Sequence, residues 1–356
     1  MATPPTELTL TVSPSARYDL IDMTKRVRRE CGEALDRYRK ALYCSHHTTA
    51  GYLDHSLASR LRHESHHLSH FFGAFRALFP PGAEYQHDQM DLRSELSDEQ
   101  KGVEPRNADS HLTFIGAGMR NCVTYRNDPE TPVYFIELDG VNEGTRRVRS
   151  TSILAYDQEE FVHRATIPVP VSRHPVDSIN LADPRVGFLD EVNELLARYG
   201  IEKGRVDITL APQERHAGVT VNEYETLLMQ HDLPEVLKNP LKYAALRGRH
   251  MLDDPLAIPG KTINYAKYDF VQVVNSLMEA FRFNESVVEK LLARIMEIPA
   301  RRFLGMKRSV SFLASDGNMG GPARIVRGRY QSPILVQWRA ADRQVRALAV
   351  TLVRFR

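Results

Sequence analysis

Ser45-His46-His47-Thr48-Thr49-Ala50 opens the stretch on which the reading of this chain turns, and Asn107-Ala108-Asp109-Ser110-His111-Leu112 closes it, with Tyr85-Gln86-His87-Asp88 between them. Nine of the chain's 14 histidines fall between His46 and His111. A neutral imidazole is the commonest metal ligand and a ready proton carrier. A cluster this dense calls for a metal, an acid/base role or a solvated face. His47, His87 and His111 each fall at an expected strand end or loop among small and turn-forming residues. Three imidazoles gathered by folding would make an open ligand set for a divalent ion, zinc or magnesium. Their separations of 40 and 24 residues are no metal spacing in themselves. Three unrelated polar histidines fit the same residues.

Working outward, Ala41 to Ser45 reads as a buried strand that delivers the histidine turn. Glu7 to Val12 alternates as a strand, and Asp22 is placed to cap a helix from Met23 to Tyr38. Asp54 to Phe79 favours helix, with an apolar stripe of Leu57, Leu61, Leu68, Phe72 and Phe75. His63, His67 and His70 would share one face of it, with His66 adjacent. That stripe reads as a solvated face sooner than as a metal site. Asp88 to Arg106 is polar and reads as a loop. Strands are expected over His111–Gly116, Asn121–Tyr125, Val133–Asp139 and Arg146–Tyr156. Helices segregated from most of the strands make an α+β pattern.

Ile167-Pro168-Val169-Pro170 and His174-Pro175 read as a stiff linker. It separates a first domain, 1–165, from a second mixed α/β domain of unknown type, 176–356. In the second, Asp183-Pro184 opens a helix to Tyr199, and Arg205–Leu210 is a strand. Further helices are expected over Glu223–Met229, Leu233–Leu246, Lys267–Phe281 and Glu285–Met296, the last with Asn284 as cap. Strands follow over Ser309–Ala314, Ala323–Val326, Ile334–Trp338 and Val345–Val353. The glycine-dense loop Ser315–Pro322 lies between strands and lacks Gly-Lys-Ser/Thr, so it reads as a wide hairpin and not a phosphate cradle. No internal repeat is read from the residues.

A net charge of +2 on 356 residues, with 42% hydrophobic and 26% charged residues, describes an ordinary globular chain. It gives no whole-chain attraction to nucleic acid, which is not an expected partner. Arginines do gather late, from Arg301 to Arg356, as strand-edge charges or as contacts for a phosphate. Three cysteines, Cys31, Cys44 and Cys122, are too scattered for a disulfide framework. No apolar run is long enough for a membrane span. Met1-Ala2-Thr3-Pro4-Pro5 lacks the regions of a secretory signal, so a cytoplasmic location is expected.

Four short motifs, in order, resemble the YjbQ-like family, described as secondary thiamine-phosphate synthases. They are His47-Thr48-Thr49-Ala50, Tyr85-Gln86-His87, Ser110-His111-Leu112, and Glu137-Leu138-Asp139-Gly140 followed by Arg146-Arg147. The resemblance implies an antiparallel-sheet domain packed with helices, a homotrimer, and three histidines gathered at a metal or phosphate pocket. Two family segments are missing from their places. The acidic Asn-Glu-x-x-Asp-Pro segment after the first signature is here Tyr52-Leu53-Asp54-His55-Ser56-Leu57, with Asp54 as its one remnant. The Gly-x-Trp-Gln before the Glu-bearing strand is here Glu130-Thr131-Pro132. The motifs run from Cys44 to Tyr156, and the residues from about Val171 onward carry no such likeness.

The expected function is a metal-assisted enzyme acting on a phosphorylated small molecule. His47, His87 and His111 would hold the metal or phosphate. Thr48 and Thr49 would offer hydroxyls and N–H groups to the phosphate. Glu137 would serve as base or orienting group, and Arg146 and Arg147 would take up charge on a leaving diphosphate. The other reading is a non-catalytic metal- or ligand-binding protein on a degenerate scaffold of the same kind.

Overall fold

Alternating strands separated by short turns build the molecule twice over. The computed structural model describes residues 3–82, 85–92, 97–102, 104–142, 144–174, 177–221 and 307–356. They fall into two units: Met1–Ser65, Gly118–Glu223 and Lys307–Arg356 in the first, His66–Ala117 and Tyr224–Met306 in the second. The helices expected between Glu223 and Met296, with the Asn284 cap, lie outside the described residues.

In the first unit the chain runs β1 (Thr6–Val12), β2 (Asp19–Asp22), α1 (Met23–Cys31), β3 (Lys40–Ser45), β4 (Ala50–Gly51) and α2 (His55–Arg60). Asp22 caps α1 by accepting from the Lys25 amide at 3.0 Å, as expected. The helix stops at Gly32, whose φ of 61° suits glycine, well short of Tyr38. The second unit then supplies α3 (Ser65–Leu78), α4 (Asp98–Lys101) and α5 (Ala108–Gly116). The first unit resumes with β5 (Cys122–Arg126), β6 (Tyr134–Glu137), the small hairpin β7 (Val141–Asn142) and β8 (Thr145–Arg146), and β9 (Arg149–Tyr156).

The remaining elements are β10 (Glu159–Pro170), β11 (Asp177–Asn180), α6 (Phe188–Arg198), β12 (Lys203–Leu210), β13 (Ala217–Thr220), β14 (Ser309–Ser315), β15 (Arg324–Val326), β16 (Ile334–Gln337) and β17 (Val345–Phe355). They repeat the earlier plan. One main sheet has the order β1-β9-β3-β5, and the other β10-β17-β12-β14, extended by β15. One small sheet is β2-β6-β4, and the other β11-β16-β13. A helix follows the second strand in each copy. The chain is a tandem duplication, which the residues alone did not disclose. The two segments assigned to the second unit fall within matching connections, β4 to β5 and β13 to β14.

The register repeats as well. Glu137 pairs with Asp19 and Ala50 in one small sheet, and Gln337 pairs with Asp177 and Ala217 in the other. The proline-rich stretch expected as a linker is the second half of β10. This strand lies at a sheet edge, where a proline's missing N–H costs no ladder bond. The copies meet at the turn Asp157-Gln158, between β9 and β10.

In β12, Gly204, Val206, Ile208 and Leu210 are buried, and their odd-numbered neighbours are half-buried. The buried face joins Phe188, Val192, Leu195 and Leu196 of α6 in the core of the second copy. The opposite faces of the two main sheets meet through Leu42, Cys44, Leu154 and Tyr156 on one side and Leu313, Val353 and Phe355 on the other. The rings of Tyr156 and Phe355 stack at 3.7 Å. Cys44 and Cys122 are cross-strand neighbours with sulfurs 2.8 Å apart, so two of the three thiols are not scattered at all.

In the second unit, Phe71, Phe72, Leu112, Phe114 and Ile115 are buried. Residues His111–Gly116, expected as a strand, belong to α5. An apolar run buried on every side carries no period by which to tell helix from strand. The long helix expected over Asp54–Phe79 is two helices. Arg62 and His63 both take positive φ between them, which removes His63 from the stripe it would share with His67 and His70. The Ser315–Pro322 loop is a hairpin connection between β14 and β15, as expected.

Candidate functional site

The histidine turn of the first copy is pinned from four directions. His47 Nε2 accepts the Ser150 amide at 2.7 Å. Burial, then the charge of Arg149 and then His46, lower its pKa to about 3. The ring is therefore neutral, with its proton on Nδ1. The Asn121 side-chain amide donates to the His47 carbonyl at 2.5 Å. Gln331, from the second copy, donates to the carbonyls of Ser45 and His47 at 2.9 and 3.0 Å. Gly328 lies against the His46 carbonyl so closely that any Cβ would collide with it.

Beneath the turn sits a buried charge network. Glu137 is fully buried, and both its oxygens bind Arg149, at 2.5 Å from Nε and 2.8 Å from Nη2. Its Oε1 also accepts the amides of Leu138 and Asp139, at 3.0 and 2.8 Å. Burial pushes the Glu137 carboxyl up, and Arg149 opposes that shift. Arg149 further donates to the Thr49 hydroxyl at 3.1 Å. Asp139 takes Asn142 at 2.8 Å and Arg147 at 3.2 Å.

This geometry revises several expected roles. Glu137 is an inaccessible partner of Arg149 and not a base open to substrate. Thr49 is buried and bound to Arg149, Arg147 is paired with Asp139, and Arg146 stands exposed on β8. Thr48 is half-buried in the turn. Arg149 was missed. The signal for it was present: it falls in phase with Thr151, Ile153 and Ala155 on a buried face, where a guanidinium needs a carboxylate.

The second copy rebuilds the same network with different chemistry. Arg346 Nε donates to Gln337 at 3.0 Å, as Arg149 Nε does to Glu137. Each arginine also donates to the carbonyl two residues past that partner, Arg339 and Asp139. Ala347, following Arg346, donates its amide to Glu214 at 2.8 Å, as Ser150 does to His47. Glu214 also pairs with Arg346 at 2.8 Å. In the second copy the carboxylate has moved to the His47 position and an amide stands where Glu137 does. His47 thus acts as a loop pin, a role that a glutamate fills equally.

The other two histidines of the trio lie in the second unit and come together there. The rings of His87 and His111 are 5.4 Å apart, and both are buried. His87 Nδ1 donates to Asp88 Oδ1 at 2.9 Å, and the Ala108 amide, at the start of α5, donates to the same oxygen at 3.1 Å. A carboxylate on Nδ1–H fixes the tautomer and leaves the lone pair on Nε2. Of the neighbouring stripe, His70 Nδ1 donates to the His66 carbonyl at 2.8 Å, and the two rings are 4.2 Å apart. Among the described residues, no group of three or more His, Cys, Asp or Glu side chains is placed to hold a metal ion. No described helix is long and apolar enough to cross a membrane.

No protein-family model matches the chain, and no curated protein matches it. Solved structures similar to it, two of them described as YjbQ-like, align with about half of it. A YbjQ-like protein of unknown function from Sulfolobus solfataricus P2 has 15% identity and a TM-score of 0.29, covering 55% of this chain and 99% of its own. A hypothetical protein from Aeropyrum pernix K1 has 16% identity and a TM-score of 0.28, covering 43% and 99%. An uncharacterized yjbq/upf0047 family protein from Clostridium acetobutylicum has 16% identity and a TM-score of 0.26, covering 41% and 97%.

Proposed function

We propose that this chain is an enzyme acting on a phosphorylated small molecule, with His87 moving a proton and His111 beside it. The observation that carries the reading is the His87–Asp88 contact of 2.9 Å. A half-buried carboxylate holding Nδ1–H orients the ring and favours its protonated form in a transition state, with Nε2 as the nitrogen that would exchange the proton. The substrate class rests on the four motifs. They narrow it to transfer of the thiamine-phosphate synthase type: a thiazole phosphate attacks a pyrimidine methyl diphosphate, and diphosphate leaves.

A zinc or magnesium ion on His47, His87 and His111 does not fit the donors as they stand. His47 Nε2 already accepts a backbone amide, so no step is routed through a metal. The test is turnover of a panel of phosphorylated compounds, including that substrate pair, by wild type and His87→Gln. Wild type should turn over at least one member, and the variant should be about 10²–10⁴-fold slower in kcat. A panel left untouched by wild type, or an unaffected His87→Gln, would sink the reading.

A further inference from the structure

We infer that the cleft between the two main sheets binds a phosphorylated polyol such as a sugar phosphate. The inference stands apart from the His87 centre, because every residue it uses belongs to the first unit. It begins with an asymmetry between the copies. Where opposite sheet faces pack, both sides are ordinarily apolar. Here the register sets Leu154, Leu42 and Thr124 of the first copy against Thr351, Asp207 and Ser311 at the same positions of the second. One row further on, Cys44 and Cys122 answer to Thr209 and Ser309.

Four apolar positions of one copy are therefore polar in the other, all at one end of the interface. At the opposite end Tyr156, Val353 and Phe355 close the interface. At the polar end the sheets leave a cleft of about 460 Å³, within the range of small-molecule sites. A polar face against an apolar one is poor packing. It suits a ligand rich in hydroxyls.

The charges specify the ligand further. Arg120, Arg164 and Arg205 line the cleft against Asp54 and Asp207. Arg205 is bound to Asp207 at 2.9 Å, and Asp207 also accepts from the Ser311 hydroxyl at 2.6 Å. Arg120 lies 3.7 Å from Asp54. Arg164 stands on edge strand β10 opposite Thr351 and has no side-chain partner among the described residues. Its counterpart in the first copy is Glu7, opposite Leu154, which pairs with Lys203. A guanidinium with no side-chain partner among the described residues, beside a row of hydroxyls, suits a phosphate attached to a polyol, with Arg164 as the anion hook and Thr351, Thr209 and Ser309 as hydroxyl contacts.

Isothermal titration of the full chain with ribose 5-phosphate, ribose and inorganic phosphate tests this, with Arg164→Ala and Thr351→Val as variants checked for folding by circular dichroism. Ribose 5-phosphate should bind at least about tenfold tighter than either fragment. Arg164→Ala should weaken it about tenfold or more, and Thr351→Val by a smaller factor. The absence of ribose 5-phosphate binding would overturn the inference, as would unchanged affinity in a folded Arg164→Ala. Phosphate binding as tightly as the sugar phosphate would reduce the site to an anion site and refute the polyol part.

Discussion

Exchanging two residues should convert one copy's network into the other's. In the first copy Arg149 is balanced by Glu137, and the neutral His47 accepts the Ser150 amide. In the second, Arg346 is balanced by Glu214 at the histidine position, and Gln337 is neutral. Glu137→Gln alone strips a buried guanidinium of its counter-charge, a change that costs about 3–5 kcal/mol. His47→Glu alone adds a second carboxylate to one arginine and should cost about 3 kcal/mol for the uncompensated charge. Together they reproduce the second copy's arrangement. The new glutamine amide finds acceptors too. Gln337 donates to the carbonyls of Ser172 and His174, and the register sets Pro14 and Ala16 at the same offsets before Asp19. The double variant should be more stable than the sum of the singles by at least about 2 kcal/mol. Urea unfolding followed by circular dichroism measures all four proteins. Additive losses would refute the claim that the two networks are copies of one design.

His47 should leave a mark on acid stability. Its pKa falls from 6.5 to about 3 on folding, so between those values the unfolded chain binds a proton that the folded chain does not. Stability should therefore fall as pH drops from 6.5 toward 3. His47→Gln, which keeps an acceptor for Ser150, should remove about one proton from that dependence, read from urea midpoints across pH. Gly328→Ala drives a methyl group into the His46 carbonyl and should cost about 1–3 kcal/mol by thermal unfolding, whereas Gly321→Ala, in open space, should cost far less. Of the three thiols, half-buried Cys31 should alkylate first in the native protein. Buried Cys44, its thiol pushed well up by burial and by Cys122, should react together with Cys122 only on unfolding, as mass spectrometry of timed samples would show.

Most strands were legible: β1, β3, β5, β9, β12, β14, β16 and β17 fall where the residues placed them, β1 and the start of β9 by alternation and the others as short runs of strand-forming residues between turn signals. The helix α5 was not, because burial on all sides erases the period that marks a helix. The duplication was hidden for a related reason. What the copies share is register and a few anchors, Ala50-Gly51 with Ala217-Gly218 and Arg149 with Arg346. The turn between Thr209 and Ala217 spans eight positions where Cys44 to Ala50 spans six, so no fixed period emerges. The site was half legible. His87 and His111 do meet, whereas His47, Glu137 and Thr49 are engaged in holding the turn. Nothing in their residue types distinguishes a polar group held for structure from one held for chemistry. Only their partners do.

The central claim is that Asp88 holds His87 with its proton on Nδ1 and its lone pair on Nε2. Long-range proton–nitrogen NMR on labelled protein, at a pH where the imidazole is neutral, reads that tautomer directly, with His87→Gln to assign the signal. The account predicts the Nδ1–H form in wild type and its loss or mixing in Asp88→Asn. An Nε2–H form in wild type would contradict it.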